Sequence, residues 1–337
     1  MNARVFQFPS ELEQRLASLL NAKGRSLEDS SRLASDVQKI SDQFTGAEGS
    51  KTPWEFWAGY MAYYFPLNVV RLRAVFEESF RDFPWEKVSE IIDFGSGPGT
   101  THAALESTPL APKKILSVEI ESRAVEMHRG LNLSNWPNAW ANRLPTKIEP
   151  GTLGIFSYSL LEETSLEKRL QEFDHILIVQ PSTRTQGRKL LETRAKLQSA
   201  GYFSWAPCTH QLACPLLTQS KTDWCHDRIQ LDAPAWFEQL ESHLPMYNHT
   251  LTYSYWFASR TEQPPTQANQ ARITGDTLFE KGKVRQMICR GPNREFLSWL
   301  KRDGEPAVIP RGSRIELPET LEIKGNEIRM RGTKQSP

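Results

Sequence analysis

Apolar residues recur at helical spacing early in the chain. In ELEQRLASLL, Leu12, Leu16, Leu19 and Leu20 fall three and four positions apart, the pattern of an amphipathic helix. A longer aromatic-rich pattern from Trp54 to Phe80 predicts another helix. Pro66 should break or kink it, because proline lacks a backbone donor and crowds the preceding turn. The many Trp, Tyr and Phe of this stretch read as core. From residue 88 the texture changes. VSEIIDF, KKILSVEI, TLGIFSYSL and FDHILIVQP are apolar runs of strand length, interleaved with helical stretches from Thr101, at SRAVEMHRGLNL and at RTQGRKLLETRAKLQSA. Such alternation implies crossover units and a doubly wound α/β fold, Rossmann-like, with a mostly parallel sheet. It stops at APCTHQLACPLLTQSKTDWCHDRIQ, which reads as an irregular loop held by something other than a core. TLTYSYWFASR and VRQMICR predict further strands, and RGSRIELPETLEIKGNEIRM alternates as a small β appendage does. The resulting division is a helical region over 1–87, an α/β domain over 88–207, a cysteine-rich segment with closing strands over 208–290 and a basic appendage over 291–337.

Composition narrows the class. The 337 residues are 39% hydrophobic and 24% charged, which excludes a disordered chain. No run of 18 apolar residues exists to span a membrane, and MNARVFQFPSELEQRL lacks the apolar stretch of a signal peptide, so a cytoplasmic monomer away from membranes is expected. The net charge of +1 is unevenly spread. Residues 281–337 hold 13 Lys and Arg against 7 Asp and Glu. That excess suits an anionic partner for this end, or merely a solvated surface.

Four cysteines in a reducing compartment are poor candidates for disulfides. Cys208, Cys214 and Cys225 fall within 18 residues, and Cys289 follows after a further 63. Four thiolates suit a tetrahedral zinc or an iron–sulfur cluster. Structural zinc sites usually use tight C-x2–4-C pairs. None exists here, and the wide gaps fit a larger cubane better. Zinc remains the rival, with His210 or His226 completing three cysteines. Four ordinary buried cysteines fit less well, because the loop is polar and contains prolines.

Asp93-Phe-Gly95-Ser-Gly97-Pro-Gly99-Thr follows one strand and precedes a helix, the setting a nucleotide-type loop requires. The spacing is G-x-G-x-G, unlike the G-x-G-x-x-G of dinucleotide sites. It resembles the first motif of S-adenosylmethionine-dependent methyltransferases, whose loop wraps the cofactor's amino-acid end. Glu119, ending the next strand, matches the acidic residue that binds the ribose hydroxyls in that family; Glu121 is the weaker candidate, past the strand. The resemblance therefore assigns Asp93, Gly95, Gly97, Gly99 and Glu119 to the cofactor. A tight turn with no ligand is the plain alternative.

Pro207-Cys208-Thr209-His210, Cys214-Pro215-Leu216 and Asp223-Trp224-Cys225-His226 with Arg228 resemble the methyltransferase-like ribosomal small-subunit assembly family, best known from mitochondria and with bacterial relatives. The likeness extends to Tyr60–Pro66 with Arg71, to Ser157–Glu162 and to Gln180-Pro181, over residues 55–290. It implies a class I methyltransferase fold and a [4Fe–4S] cluster on Cys208, Cys214, Cys225 and Cys289. It also implies S-adenosylmethionine binding and small-subunit ribosomal RNA and proteins as partners. Catalysis is not legible. Amino-methylating enzymes carry Asn/Asp-Pro-Pro-aromatic after the fourth strand, where this chain reads Gln180-Pro181-Ser182-Thr183. Pro207-Cys208 resembles the Pro-Cys of cytosine-5 methyltransferases but sits in the cysteine loop. Gln180 also stands at a family glutamate, and the basic segment before Cys289 is thin, with Lys281, Lys283 and Arg285. An assembly factor docking on RNA through its basic end and an active RNA methyltransferase are the two readings. Radical chemistry is disfavoured, since four cysteines fill every iron of a cluster.

Overall fold

Strand β1 (Val5–Gln7) leads into helices α1 (Ser10–Ala22) and α2 (Ser30–Phe44). The leucines of the predicted face of α1 are buried. A turn of helix, α3 (Trp57–Gly59), passes through a π turn at Tyr60–Tyr64 into α4 (Phe65–Ser79). Pro66 therefore does not break the helix. It occupies the first turn of α4, where a missing N–H is tolerated, directly after the wider π turn. The computed structural model describes residues 4–44, 53–134, 136–159, 166–264 and 269–331. The chain divides into two units, one of residues 5–164 and 229–251, the other of 1–4, 165–228 and 252–337.

In the first unit β2 (Glu90–Phe94) is followed by α5 (Thr100–Glu106), β3 (Ile115–Val118), α6 (Ser122–Gly130), β4 (Asn138–Ala141) and β5 (Thr152–Ser157). β2 pairs in parallel with β3 on one side and β5 on the other, and β4 lies beyond β3. This is the Rossmann-like parallel arrangement expected. β4 is not legible as a strand in the sequence, because NAWA is short and none of its residues is buried.

The second unit starts with α7 (Leu166–Arg169), β6 (His175–Gln180), α8 (Arg184–Ser199), β7 (Phe203–Ala206) and α9 (Pro215–Thr218). β8 (Asp227–Asp232) and α10 (Ala235–Glu241) return the chain to the first unit, where β8 pairs in parallel with β1. β9 (Thr250–Ser259) runs antiparallel to β6 and β7.

β10 (Gln270–Phe279), β11 (Lys283–Cys289), β12 (Glu295–Leu300), β13 (Arg314–Glu316), β14 (Glu322–Lys324) and β15 (Glu327–Met330) form a separate six-stranded sheet in the order β13-β10-β11-β12-β15-β14. VRQMICR is thus paired within this sheet, and the appendage expected from residue 291 shares its sheet with β10 and β11. Ile273, Ile288, Leu297, Trp299 and Ile328 make its core. Among the described residues no helix is long and apolar enough to cross a membrane.

Candidate functional site

Chain order reverses at β2, flanked by the next strand on one side and by the later β5 on the other. Ligands of open α/β sheets bind at the carboxyl ends of strands at such a point. Three segments meet there: the glycine turn after β2, residues 119–121 after β3, and residues 157–159 after β5. Gly95, Gly97 and Gly99 all hold positive φ, at 66°, 52° and 84°, the left-handed region that glycine alone enters freely. Their reasons differ. A Cβ on Gly95 would come within 2.6 Å of Ser159, and one on Gly99 would run into the His128 ring. At Gly97 a Cβ would meet nothing within 4 Å, so only this glycine opens onto free space.

Glu119 spans the turn. Its Oε2 accepts from Gly97 N at 2.8 Å, and Oε1 accepts from the backbone N–H groups of Ile120 and Glu121 at 2.8 and 2.9 Å. A carboxylate offers about four acceptor positions, which leaves capacity for a hydroxyl donor. Ile120 beside it is 79% exposed. Glu121 is the cap residue before α6, off the strand as expected. Asp93 lies behind the turn, 3% exposed, and accepts from Thr101 Oγ1 at 2.9 Å. It ties the end of β2 to the first turn of α5. Burial pushes its carboxyl up to about 7, against the Thr101 hydrogen bond and with the charge of Glu119 adding to the rise.

Two features here leave no signal in the sequence. His102 and His128 are both buried, with Nδ1 and Nε2 3.4 Å apart, stacked on Trp136 and edge-on to Trp140 respectively. Burial lowers both, His128 to about 4. The second concerns the place where an amino-methylating motif would stand. With β4 present, the fourth strand counted from β2 is β5, and Gln180 ends the fifth. The comparison made at Gln180 therefore moves to Ser157-Tyr158-Ser159, where an aromatic does stand, without Asn/Asp or Pro-Pro. Tyr158 holds φ 62°, a strained value for a non-glycine residue. Burial raises its phenol, while Arg71 opposes the rise. Leu160, Leu161 and Glu162 of that stretch lie outside the described residues.

In the second unit one cavity, partly open to solvent, is lined by all four cysteines together with Arg194, His210 and Arg272. Cys208 follows β7, Cys214 caps α9, Cys225 precedes β8 and Cys289 ends β11, opposite Arg272 of β10. α8 holds the irregular loop in place. Arg188 Nη1 donates to the carbonyls of Leu216, Ser220 and Asp223 at 3.0–3.2 Å. Trp224 Nε1 donates to Ser182 O at 2.7 Å, and its ring fills the space over Gly187 that a Cβ would occupy. Arg194 Nη2 donates to Leu212 O at 2.9 Å and its Nε to Cys208 Sγ at 3.2 Å. Thr209 Oγ1 donates to Cys289 O at 3.0 Å, joining the loop to β11.

Burial pushes the Cys225 thiol up to about 12, and Cys214 and Cys289 also rise. His210 Nε2 lies 3.3 Å from Cys289 Sγ, whereas His226 faces Arg311 at 3.2 Å. A single zinc holds its sulfurs at ≈ 2.3 Å, hence about 3.8 Å from one another. Among the described residues no three of His, Cys, Asp or Glu gather as one ion requires.

Several cations of the basic end are paired, although the segment keeps its excess of positive charge. Lys283 pairs with Glu327, Arg285 with Glu280 and Glu327, and Arg290 with Glu295 at 2.9 Å. Among the described residues Lys281 and Lys301 make no ion pair.

The family model for the mitochondrial small ribosomal subunit Rsm22 matches residues 56–306. No curated protein matches the chain. Among solved structures, it is similar to a putative RNA methyltransferase from Pyrococcus horikoshii, at 12% identity over 68% of this chain and 97% of that one, TM-score 0.34. It is similar to the 16S rRNA methylase ArmA, at 14% identity over 50% and 90%, TM-score 0.33. A third likeness is to the plantazolicin methyltransferase BamL in complex with SAH, at 10% identity over 70% and 98%, TM-score 0.35.

Two outcomes are expected at the glycine turn. Gly97→Val fills the open space and should abolish S-adenosylmethionine binding in calorimetry, with secondary structure retained. Glu119→Ala should weaken binding by about 1.5–3 kcal/mol, the worth of hydrogen bonds to a charged group. Wild-type affinity in both variants would remove the pocket.

Asp93 generates a pH dependence. Its carboxyl titrates near 3.8 when unfolded and at about 7 when folded. The folded state thus holds the proton more tightly, and this contribution to stability is lost as pH rises through about 7. His128 acts in the opposite sense, costing stability as pH falls from 6.5 towards about 4. The test is therefore a difference. Asp93→Asn should gain on the wild type in urea unfolding as pH rises from about 4 to about 7.5, and a constant difference would refute it.

Proposed function

The chain belongs to the mitochondrial small ribosomal subunit Rsm22 family, and from that premise we propose that it is a methyltransferase-like small-subunit assembly protein. In this reading it binds S-adenosylmethionine at the glycine turn and carries a [4Fe–4S] cluster on Cys208, Cys214, Cys225 and Cys289. The observation that carries the reading is the shared cavity: an irregular loop and the end of a distant strand bring four thiols to one space beside a buried guanidinium. Three thiols pushed up by burial are poor anions alone. Ligation of a cluster would remove their protons and would become folding energy for the loop. When bound, the cluster supplies a covalent tie between residues 208–225 and β11, and a one-electron centre.

The residues around it hold and orient. Thr209 Oγ1 on Cys289 O and Ser254 Oγ on Cys225 O fix two of the ligand backbones. At the other site, Glu119 braces Gly97 and keeps acceptor capacity, while Asp93 and Thr101 hold the turn from behind. No catalytic residue is assigned. The alternative, an active RNA methyltransferase, draws on the aromatic Tyr158 after β5. Turnover of labelled S-adenosylmethionine on small-subunit RNA separates the two.

Cys289→Ser is the deciding variant for the cluster. It should lose iron, sulfide and the brown chromophore under anaerobic purification. It should also expose residues 208–226 to proteolysis, with S-adenosylmethionine binding retained. Full iron and sulfide in this variant would break the quartet, and zinc without sulfide in the wild type would replace the cluster.

For RNA, the unpaired Lys281 and Lys301 are the candidate phosphate contacts. Neutralising both should flatten the salt dependence of small-subunit RNA binding, by about 0.7–0.9 in slope for each phosphate no longer neutralised. Neutralising Lys283, Arg285 and Arg290 should instead lower the stability of the six-stranded sheet. An unchanged slope in the first variant moves the RNA face elsewhere.

A further inference from the structure

Arg194 is among the largest fully buried side chains, 2% exposed. A guanidinium is a donor only and keeps its charge in proteins. Taking it out of water is costly unless an opposite charge comes with it. The cavity's other buried arginine, Arg272, obeys that rule: it pairs with Asp227 and donates to Tyr255 Oη at 3.0 Å. Arg194 does not. Among the described residues no carboxylate lies within ion-pair distance of it. Its partners are Leu212 O, His210 O at 3.4 Å and Cys208 Sγ. Two carbonyls and a sulfur accept from its Nε and Nη2, and none of them is a carboxylate that balances its charge. The groups able to balance it are the cysteines that share the cavity.

We propose that Arg194 is the built-in counter-ion of the four cysteines, a positioning residue whose fixed charge balances their thiolates and so governs how firmly the metal group is held and at what potential it accepts an electron. The proposal rests on the cluster reading above. Four thiolates leave a cluster anionic, and one-electron reduction leaves it more so. A nearby positive charge therefore stabilises the reduced form more than the oxidised form, and net charge and hydrogen bonds at sulfur are what set such potentials. The same charge has the opposite effect in metal-free protein, where neutral thiols leave it uncompensated. A residue that merely packs would act in one direction only.

The experiment uses the full chain purified anaerobically, with Arg194→Met and Arg194→Lys beside the wild type. Iron and sulfide are assayed first, then the midpoint potential by dithionite titration with mediators, then melting temperature with and without chelation of the metal. Arg194→Met should show a lower potential, by at least a tenfold shift in the reduced-to-oxidised ratio (59 mV for one electron), and faster loss of iron to a chelator. Stripped of metal, it should melt above the stripped wild type. Arg194→Lys, which keeps the charge, should hold its metal at a potential close to the wild type. A fully loaded Arg194→Met with an unchanged potential overturns the proposal. If Arg194→Met does not fold, Arg194→Lys decides: retention at an unshifted potential supports the counter-ion, and loss of metal from a folded variant overturns it. Absence of iron and sulfide from the wild type sinks the cluster reading itself, whatever the variants do.

Discussion

A stretch of chain without helix or strand must still find a hydrogen-bond partner for each peptide group it takes out of water. Between β7 and β8 the only regular element is the four-residue α9, and side chains meet most of the demand. They come chiefly from one helix. Arg188, Arg194 and Gln198 of α8 donate to carbonyls spread from His210 to Asp223, and Gly187 admits the Trp224 ring. The cysteines take their places because α8 dictates where the loop runs.

The glycine turn follows the opposite logic. There the backbone itself is the device, and side chains restrain it. Asp93 and Thr101 fasten it from behind, Glu119 closes it from the side, and the His102–His128 pair fills the space beneath Gly99. The result is one residue, Gly97, facing open space in a conformation that other residues resist. Burying the Asp93 carboxyl is a cost accepted for that rigidity.

What can be read from the sequence follows from how local each cause is. The parallel strands are legible because β2, β3 and β5 are apolar runs, and the glycine turn because its spacing is contiguous. β4 is not, since an unburied edge strand need not be apolar, and without it the strand count places the amino-methylating motif at Gln180 instead of Ser157. Pro66 reads as a break because a π turn leaves no mark in hydrophobic periodicity. Arg188 and Arg194 look like the solvated face of a charged helix. Their role depends on carbonyls up to 35 positions away in the chain, which no local pattern carries. Likewise the basic excess of the C-terminal end is visible, but the pairing of Lys283, Arg285 and Arg290 with Glu280, Glu295 and Glu327 needs the fold.

The order of the six-stranded sheet has a consequence for assembly of that unit. After β12 the chain travels to one edge to form β13 beside β10, then comes back to lay down β14 and β15 beyond β12. At about 4.8 Å between strands, β13 and β15 stand roughly 19 Å apart. A single terminal segment therefore seals both margins of a three-stranded meander. Until it is synthesised and has crossed twice, β10 and β12 each present a bare row of peptide groups to any other chain. Closure is non-local and correspondingly late. During translation the meander around Cys289 is thus a nascent surface that needs either speed or a chaperone to stay solitary.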